Sequence, residues 1–264
     1  MPESLHIARF AEGERSFFAL VEDERGIREL AQDPFAGGAG GGPAPFGPRR
    51  GTDGLRWLVP CVPSKIVGVG RNFQAHSAEL GNPIPSEPIL FLKPPSALLP
   101  QGGIIRLPAA SRRIDFEGEL GVVIGSAASC VPEARALEYV LGYTCVNDVT
   151  ARDVQQKDVQ FTRAKGFDTF CPVGPCIGTG LDPAALEIET YVNGERRQSS
   201  PTSRMIFPVP RLISYISHVM TLLPGDLVAT GTPEGVGPLR PGDEVTVSIS
   251  GIGRLTNRVA GAAA

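Results

Sequence analysis

The chain has 264 residues, of which 25 are basic and 28 acidic, for a formal charge of −3; 42% are hydrophobic and 20% charged. That length buries enough surface for a core without disulfide or metal staples, and the slightly acidic balance argues against nucleic acid or an anionic membrane as the main partner. Thirty-two glycines and 25 prolines with no G-X-Y period exclude collagen and imply many turns between short strands, which favours a β-rich, mixed α+β architecture over a helical one.

The N-terminus, Met1-Pro2-Glu3-Ser4-Leu5-His6, carries an acid early and lacks the apolar stretch of a signal peptide. No apolar run approaches the roughly eighteen residues that cross a bilayer. Five cysteines with no C-x-x-C pair read as reduced thiols of a cytoplasmic protein. Short apolar bursts over residues 5–32 predict a small antiparallel unit. The Gly/Pro tract at 36–54 reads as a mobile linker, closing a small N-terminal β lobe (1–55) ahead of a larger domain (56–264). Strands are expected at 66–70, 89–93, 115–125 and 142–147, with a helical segment at 133–140. Asn193-Gly194 marks a two-residue hairpin turn within 186–197. Apolar residues at helical spacing predict an amphipathic helix over 211–223, and Pro224-Gly225-Asp226 and Pro241-Gly242-Asp243 each launch a strand.

The chemistry concentrates in Ile114-Asp115-Phe116-Glu117-Gly118-Glu119-Leu120-Gly121. On a strand, Asp115, Glu117 and Glu119 share one face and repel each other, so either water solvates that face or a cation neutralises it. The bare alternation favours an exposed, half-polar strand; the glycines permit close approach by a ligand or another backbone. Asp148, after the strand at 142–147, is either a helix cap, with Thr150 and Asp153 as a capping box, or the third member of a Glu-Glu-Asp set. Three carboxylates suit a hard cation, Mg²⁺ first and Mn²⁺ or Ca²⁺ next, and not zinc, for which no H-x-x-x-H pair exists. His76 and Glu79 are i,i+3 neighbours on a helix, followed by Pro83, Pro85 and Pro88. Gly68-Val69-Gly70 begins like a dinucleotide fingerprint, but Phe73 occupies the third glycine position. No Gly-x-Ser-x-Gly nucleophile elbow is present.

Glu117-Gly118-Glu119-Leu120 with Asp148 downstream resembles the metal site of the fumarylacetoacetate hydrolase family. So do Gly70-Arg71-Asn72-Phe73-x-x-His76, Lys165-Gly166-Phe167-Asp168 with Cys171-Pro172-Val173-Gly174-Pro175, and Gly231-Thr232-Pro233-Glu234-Gly235, in family order across roughly residues 61–258. The resemblance implies a fold of rolled, mixed β-sheets with a few helices, Mg²⁺ on Glu117, Glu119 and Asp148, and a homodimer. It implies a His76–Glu79 dyad on a mobile lid that activates water, Lys165 stabilising developing negative charge, and Arg152, Gln155 and Thr232 positioning the substrate. The substrate it implies is a small 2-oxo or 2-enol acid. Hydrolysis of an acylpyruvate C–C bond leads; decarboxylation of an oxaloacetate-like acid and isomerisation of a 2-hydroxyhepta-2,4-diene-1,7-dioate are the enzymatic alternatives, and a non-catalytic binding protein is the remaining one.

Overall fold

The computed structural model describes residues 4–23, 26–36, 45–79, 81 and 83–262. Strands dominate and fall into three sheets. The largest holds twelve described strands, running from the edge pair Arg50–Gly51 and Gly26–Glu29 through Arg15–Val21, His6–Glu12, Cys171–Gly178, Val140–Asn147, Gly118–Ile124, Leu227–Ala229 and Ile66–Gly70 to Ile89–Lys93. Arg56–Leu58 pairs with His6–Glu12, and Leu98–Leu99 with Cys171–Gly178, off this path. Most pairs are antiparallel, but Leu227–Ala229 runs parallel to Ile66–Gly70, so the sheet is mixed. A five-stranded sheet (Glu195–Pro201, Glu187–Val192, Glu244–Ile249, Gly253–Ala260, Ile104–Arg106) packs on the centre of the large one, and a three-stranded sheet (Thr150–Ala151, Ile114–Phe116, Gly237–Pro238) sits at its corner.

The expected antiparallel unit forms: His6–Glu12 pairs with Arg15–Val21, which pairs with Gly26–Glu29. These strands continue the large sheet, because His6 and Ile7 are in register with Gly178 and Ile177. Residues 37–44 of the Gly/Pro tract lie outside the described residues; past them the chain returns to the sheet edge at Arg50–Gly51. Asn193 and Gly194 both adopt positive φ, 53° and 81°, as a type I′ hairpin requires. The segment 133–140 is a 3₁₀ helix, Glu133–Tyr139.

The amphipathic helix spans Val209–Val219, starting two residues before the expected span and ending earlier. Met220 turns to extended backbone and Leu222 bridges to Ala128, so the last apolar residues of the pattern belong to a strand-like return rather than a fourth turn. Leu212, Ile213 and Ile216 close the core against Leu120, Val122 and Ile124. All five cysteines are unpaired. No helix among the described residues is long and apolar enough to cross a membrane.

Candidate active site

The acidic run is not one strand. Ile114–Phe116 belongs to the three-stranded sheet, Gly118–Ile124 to the large sheet, and Glu117 is the residue at which the chain changes sheets. Its neighbour makes the same transition: Val140–Asn147 ends at Asn147, and Thr150–Ala151 follows after Asp148. The two corners are tied to each other. Glu117 N–H donates to Asn147 Oδ1 at 2.9 Å, and Asp148 N–H donates to the Glu117 carbonyl at 2.8 Å. A β-carbon at Gly118 would lie 2.0 Å from Thr190 Oγ1, so only glycine lets the corner close against the five-stranded sheet.

Every residue of Gly118–Ile124 is buried, which overturns the exposed, half-polar strand; the strand lies between two others and is covered on both faces. Glu117, Glu119 and Asp148 are therefore buried together, with one carboxylate oxygen of each within 4.8 Å of the others. The capping role for Asp148 is not taken up. The helix Arg152–Lys157 has no side-chain cap, and Asp153 instead accepts from Ser111 Oγ and Arg112 N–H.

Burying like charges costs free energy unless cations compensate. Lys165 Nζ lies 2.7 Å from Glu117 Oε2 and also bonds Asp148 Oδ2. Lys93, fully buried at the end of Ile89–Lys93, donates to Asp148 Oδ1 at 2.5 Å. Arg152 uses all three guanidinium nitrogens: Nε to Asp115 Oδ2 at 2.9 Å, one terminal nitrogen to Gln155 Oε1 at 3.0 Å, the other to Glu117 Oε1. Burial alone would raise the Glu117 carboxyl, but Arg152 and Lys165 outweigh it and hold Glu117 well below the usual range. Burial would likewise lower the Lys165 ammonium, yet Asp148 and Glu117 keep its proton on more firmly than usual.

Glu119 is the exception. Its hydrogen-bond donor is Gly231 N–H, at 2.8 Å. Burial, then the charges of Asp148 and Glu117, push its pKa well up. The third carboxylate has no cation paired with it among the described residues, and the three donors are all oxygen, so the residues fit a hard divalent cation.

The helix Gln74–Glu79 carries the dyad. His76 is 4% exposed, and its Nδ1 lies 3.5 Å from Glu79 Oε2, within ion-pair range but longer than a hydrogen bond. The Glu79 carboxylate accepts Gly235 N–H at 3.1 and 3.2 Å, which ties this helix to the Gly-rich turn after Thr232. Burial, with the Arg152 charge, lowers the His76 pKa more than Glu117 and Glu79 raise it, which favours the neutral ring. Its protonated form is thus less favoured than a dyad with Glu79 alone would suggest.

A cavity of about 280 Å³ collects eight of the nine expected side chains on its wall: His76, Glu117, Glu119, Asp148, Arg152, Gln155, Lys165 and Thr232. Glu79 stands off the wall, against His76. Arg71, Gln156, Phe91 and Phe161 also line it. The Thr232 hydroxyl donates to the Gly118 carbonyl at 2.9 Å and accepts from Gln198 Nε2 at 2.8 Å. Its proton is committed, whereas the Thr232 N–H has no partner among the described residues.

Sequence reasoning passed over Lys93, Asp115 as an anchor for Arg152, and Gln198. Lys93 left one sign, a charged residue closing an apolar strand just before Pro94-Pro95. Gln198 left none. Its amide accepts Gly118 N–H at 3.0 Å and donates to Thr232 Oγ1 and to the Pro233 carbonyl, both at 2.8 Å, so one side chain fastens three segments.

Comparison with known proteins follows the same lines. A family profile described as fumarylacetoacetate (FAA) hydrolase C-terminal matches residues 65–260, and one described as Rv2993c-like, N-terminal, matches residues 5–60. The crystal structure of 5-carboxymethyl-2-hydroxymuconate delta-isomerase from Mycobacterium smegmatis is 45% identical, with a TM-score of 0.89 over 97% of this chain and 99% of its own. The mitochondrial oxaloacetate tautomerase of Arabidopsis thaliana is 46% identical over 73% of this chain and 89% of that protein. Fumarylpyruvate hydrolase from Pseudomonas aeruginosa, in complex with Mn²⁺ and pyruvate, is 33% identical, with a TM-score of 0.72 over 78% of this chain and 91% of its own. The chain belongs to the fumarylacetoacetate hydrolase family.

Proposed function

We propose that this family member is a divalent-cation-dependent enzyme that hydrolyses a C–C bond of an acylpyruvate-type 2-oxo or 2-enol acid. One observation carries the reading: a buried imidazole and three buried carboxylates share the wall of a single cavity. Glu117, Glu119 and Asp148 would hold the cation, Mg²⁺ first and Mn²⁺ or Ca²⁺ next. A bound divalent ion supplies Lewis-acid polarisation of an oxygen that it chelates.

His76 takes a proton from water at Nε2, since Nδ1 is the nitrogen beside Glu79, and Glu79 steadies the imidazolium that results. Lys165, held charged, stabilises negative charge that develops on the substrate. Gln155 and the free Thr232 N–H orient the substrate. Arg152, with each nitrogen already given to an acceptor, acts by holding Glu117 and Gln155. The helix Gln74–Glu79, latched through Glu79 to Gly235, is the lid that excludes bulk water. The described strands before residue 56 extend the large sheet and supply no residue to the cavity wall.

Replacing Glu117 by Ala is expected to abolish both divalent-ion binding in calorimetry and turnover of acylpyruvates. Full activity of that variant in chelator-treated buffer overturns the reading. A second reading, decarboxylation or isomerisation without an attacking water, draws support from the tautomerase and isomerase among the relatives. His76→Ala separates the two: hydrolysis falls by about 10²-fold or more, while decarboxylation of an oxaloacetate-like acid survives in part. A panel of 2-oxo acids that gives no turnover with Mg²⁺ or Mn²⁺ points to a binding protein instead.

A further inference from the structure

Arg71 follows the strand Ile66–Gly70 and is half-buried on the cavity wall. Its backbone is left-handed, φ 58°, a conformation that glycine adopts freely and other residues adopt at a cost. The next residue prevents relaxation. Asn72, fully buried, donates from Nδ2 to the carbonyls of Thr230 at 2.7 Å and Phe207 at 3.0 Å. It accepts Phe207 N–H on Oδ1 and Ile206 N–H on its own carbonyl, both at 2.8 Å. Arg71 is therefore carried on a rigid corner beside the Thr232 turn, in a conformation that its residue type does not favour.

The Arg71 guanidinium has no hydrogen-bond, ion-pair or ring partner among the described residues. The other two cations of the wall are engaged, Lys165 with Glu117 and Asp148, and Arg152 with Asp115 and Glu117. Formal charges on the wall cancel: Arg71, Arg152 and Lys165 stand against Glu117, Glu119 and Asp148. Behind it, Lys93 and Arg113 stand against Asp115 and Glu79, and these cancel as well. A divalent cation therefore leaves an excess of two positive charges. The carboxylate of a 2-oxo acid matches one of them. Without Arg71 the excess would suit a monocarboxylate; with it, one charge stays unmatched until the ligand brings a second anion.

We propose that Arg71 is the distal specificity residue of this cavity: its guanidinium pairs with a second carboxylate, so the preferred ligands are dianionic 2-oxo or 2-enol acids. The inference rests on the 2-oxo-acid reading above. A guanidinium fork suits the task, because it meets a carboxylate with two parallel hydrogen bonds. The Phe91 and Phe161 rings, edge to face at 5.9 Å, supply an apolar wall for the intervening carbon chain.

The test uses two inert ligands of equal chain length that differ only at the distal end, 2-oxoglutarate and 2-oxopentanoate. Both are titrated calorimetrically into the full-length protein in Mg²⁺ buffer. Wild type is expected to bind the dicarboxylate about tenfold more tightly or better, as a charge-assisted pair implies. Arg71→Gln should remove most of that preference through weaker dicarboxylate binding alone, and Arg71→Lys should recover part of it. Arg71→Gly, which suits the left-handed backbone, should lose the preference as Arg71→Gln does, separating charge from folding. Equal weakening of both ligands in Arg71→Gln, or a wild type that binds both alike, overturns the assignment to Arg71. A Mg²⁺-loaded wild type that binds neither overturns the 2-oxo-acid reading, and this inference with it.

Discussion

Glu119, on one strand, and Asp226, just ahead of its neighbour, are buried carboxylates that the fold treats in opposite ways. Asp226 precedes Leu227–Ala229, and its side chain has no exposed surface. It accepts Ser64 N–H at 2.9 Å, Ser64 Oγ at 2.7 Å, Lys65 N–H at 3.1 Å and Leu223 N–H at 2.7 Å, and it pairs with the Lys65 ammonium. Burial by itself would raise its pKa, but Lys65 and these donors reverse the direction and lower it. Glu119, on Gly118–Ile124, has one N–H donor and two carboxylates for neighbours, and its pKa is pushed up. A buried acid whose lone pairs are all answered is structural. One left unanswered beside others of its kind is held ready for a ligand, at the expense of stability.

The largest test of that contrast is Glu119→Gln. It should reduce divalent-ion affinity by more than the roughly hundredfold that loss of a supporting contact produces, with turnover falling in parallel. In ion-free buffer the same variant should melt at or above the wild-type temperature, because a carboxyl that is costly to ionise beside Asp148 and Glu117 has gone; a clear fall in that melting temperature breaks the contrast.

Asp226→Ala should do the reverse. Removing one partner of a buried pair costs about 3 kcal/mol, near 10 °C in melting temperature for a chain of this size, with activity per folded molecule unchanged. The pH dependence has a definite sign. A carboxyl whose folded pKa is depressed contributes stability above its unfolded value of about 3.9, and loses it as pH falls through the lower folded value. Wild type should therefore destabilise more steeply than Asp226→Ala below about pH 4 in acid-unfolding curves.

Gln198→Leu is the smallest of the three and lies between the extremes. It leaves Gly118 N–H and the Pro233 carbonyl unanswered and should cost about 1–3 kcal/mol. It should also loosen divalent-ion binding several-fold, through movement of the strand between Glu117 and Glu119. A stability loss with no change in ion affinity would place Gln198 with Asp226 rather than with the site.

Short-range features were legible in the residues. Short apolar runs located Ile66–Gly70 and Ile89–Lys93, the strand expected at 142–147 forms within Val140–Asn147, and Asn193-Gly194 announced its turn by the φ values that those residues tolerate. The carboxylates were found by residue type and spacing, His76 and Lys165 through the family resemblance, and they do meet at one cavity. The sheet change at Glu117 was not legible, because alternation continues through a corner: side chains keep alternating while the hydrogen-bonding partner changes from Thr150 to Asn147. The helix end at Val219 was masked for a similar reason, since the apolar pattern runs on into a segment that pairs with Ala128.

The sequence by itself therefore determined the local elements and the chemical inventory, which depend on neighbours a few residues apart. Tertiary structure alone decided which charges answer which. Lys93 is 55 residues from Asp148, Gln198 is 80 from Gly118, and Gly231 is 112 from Glu119. Whether a buried carboxylate is satisfied or left short depends on such distant donors, and no local pattern encodes them.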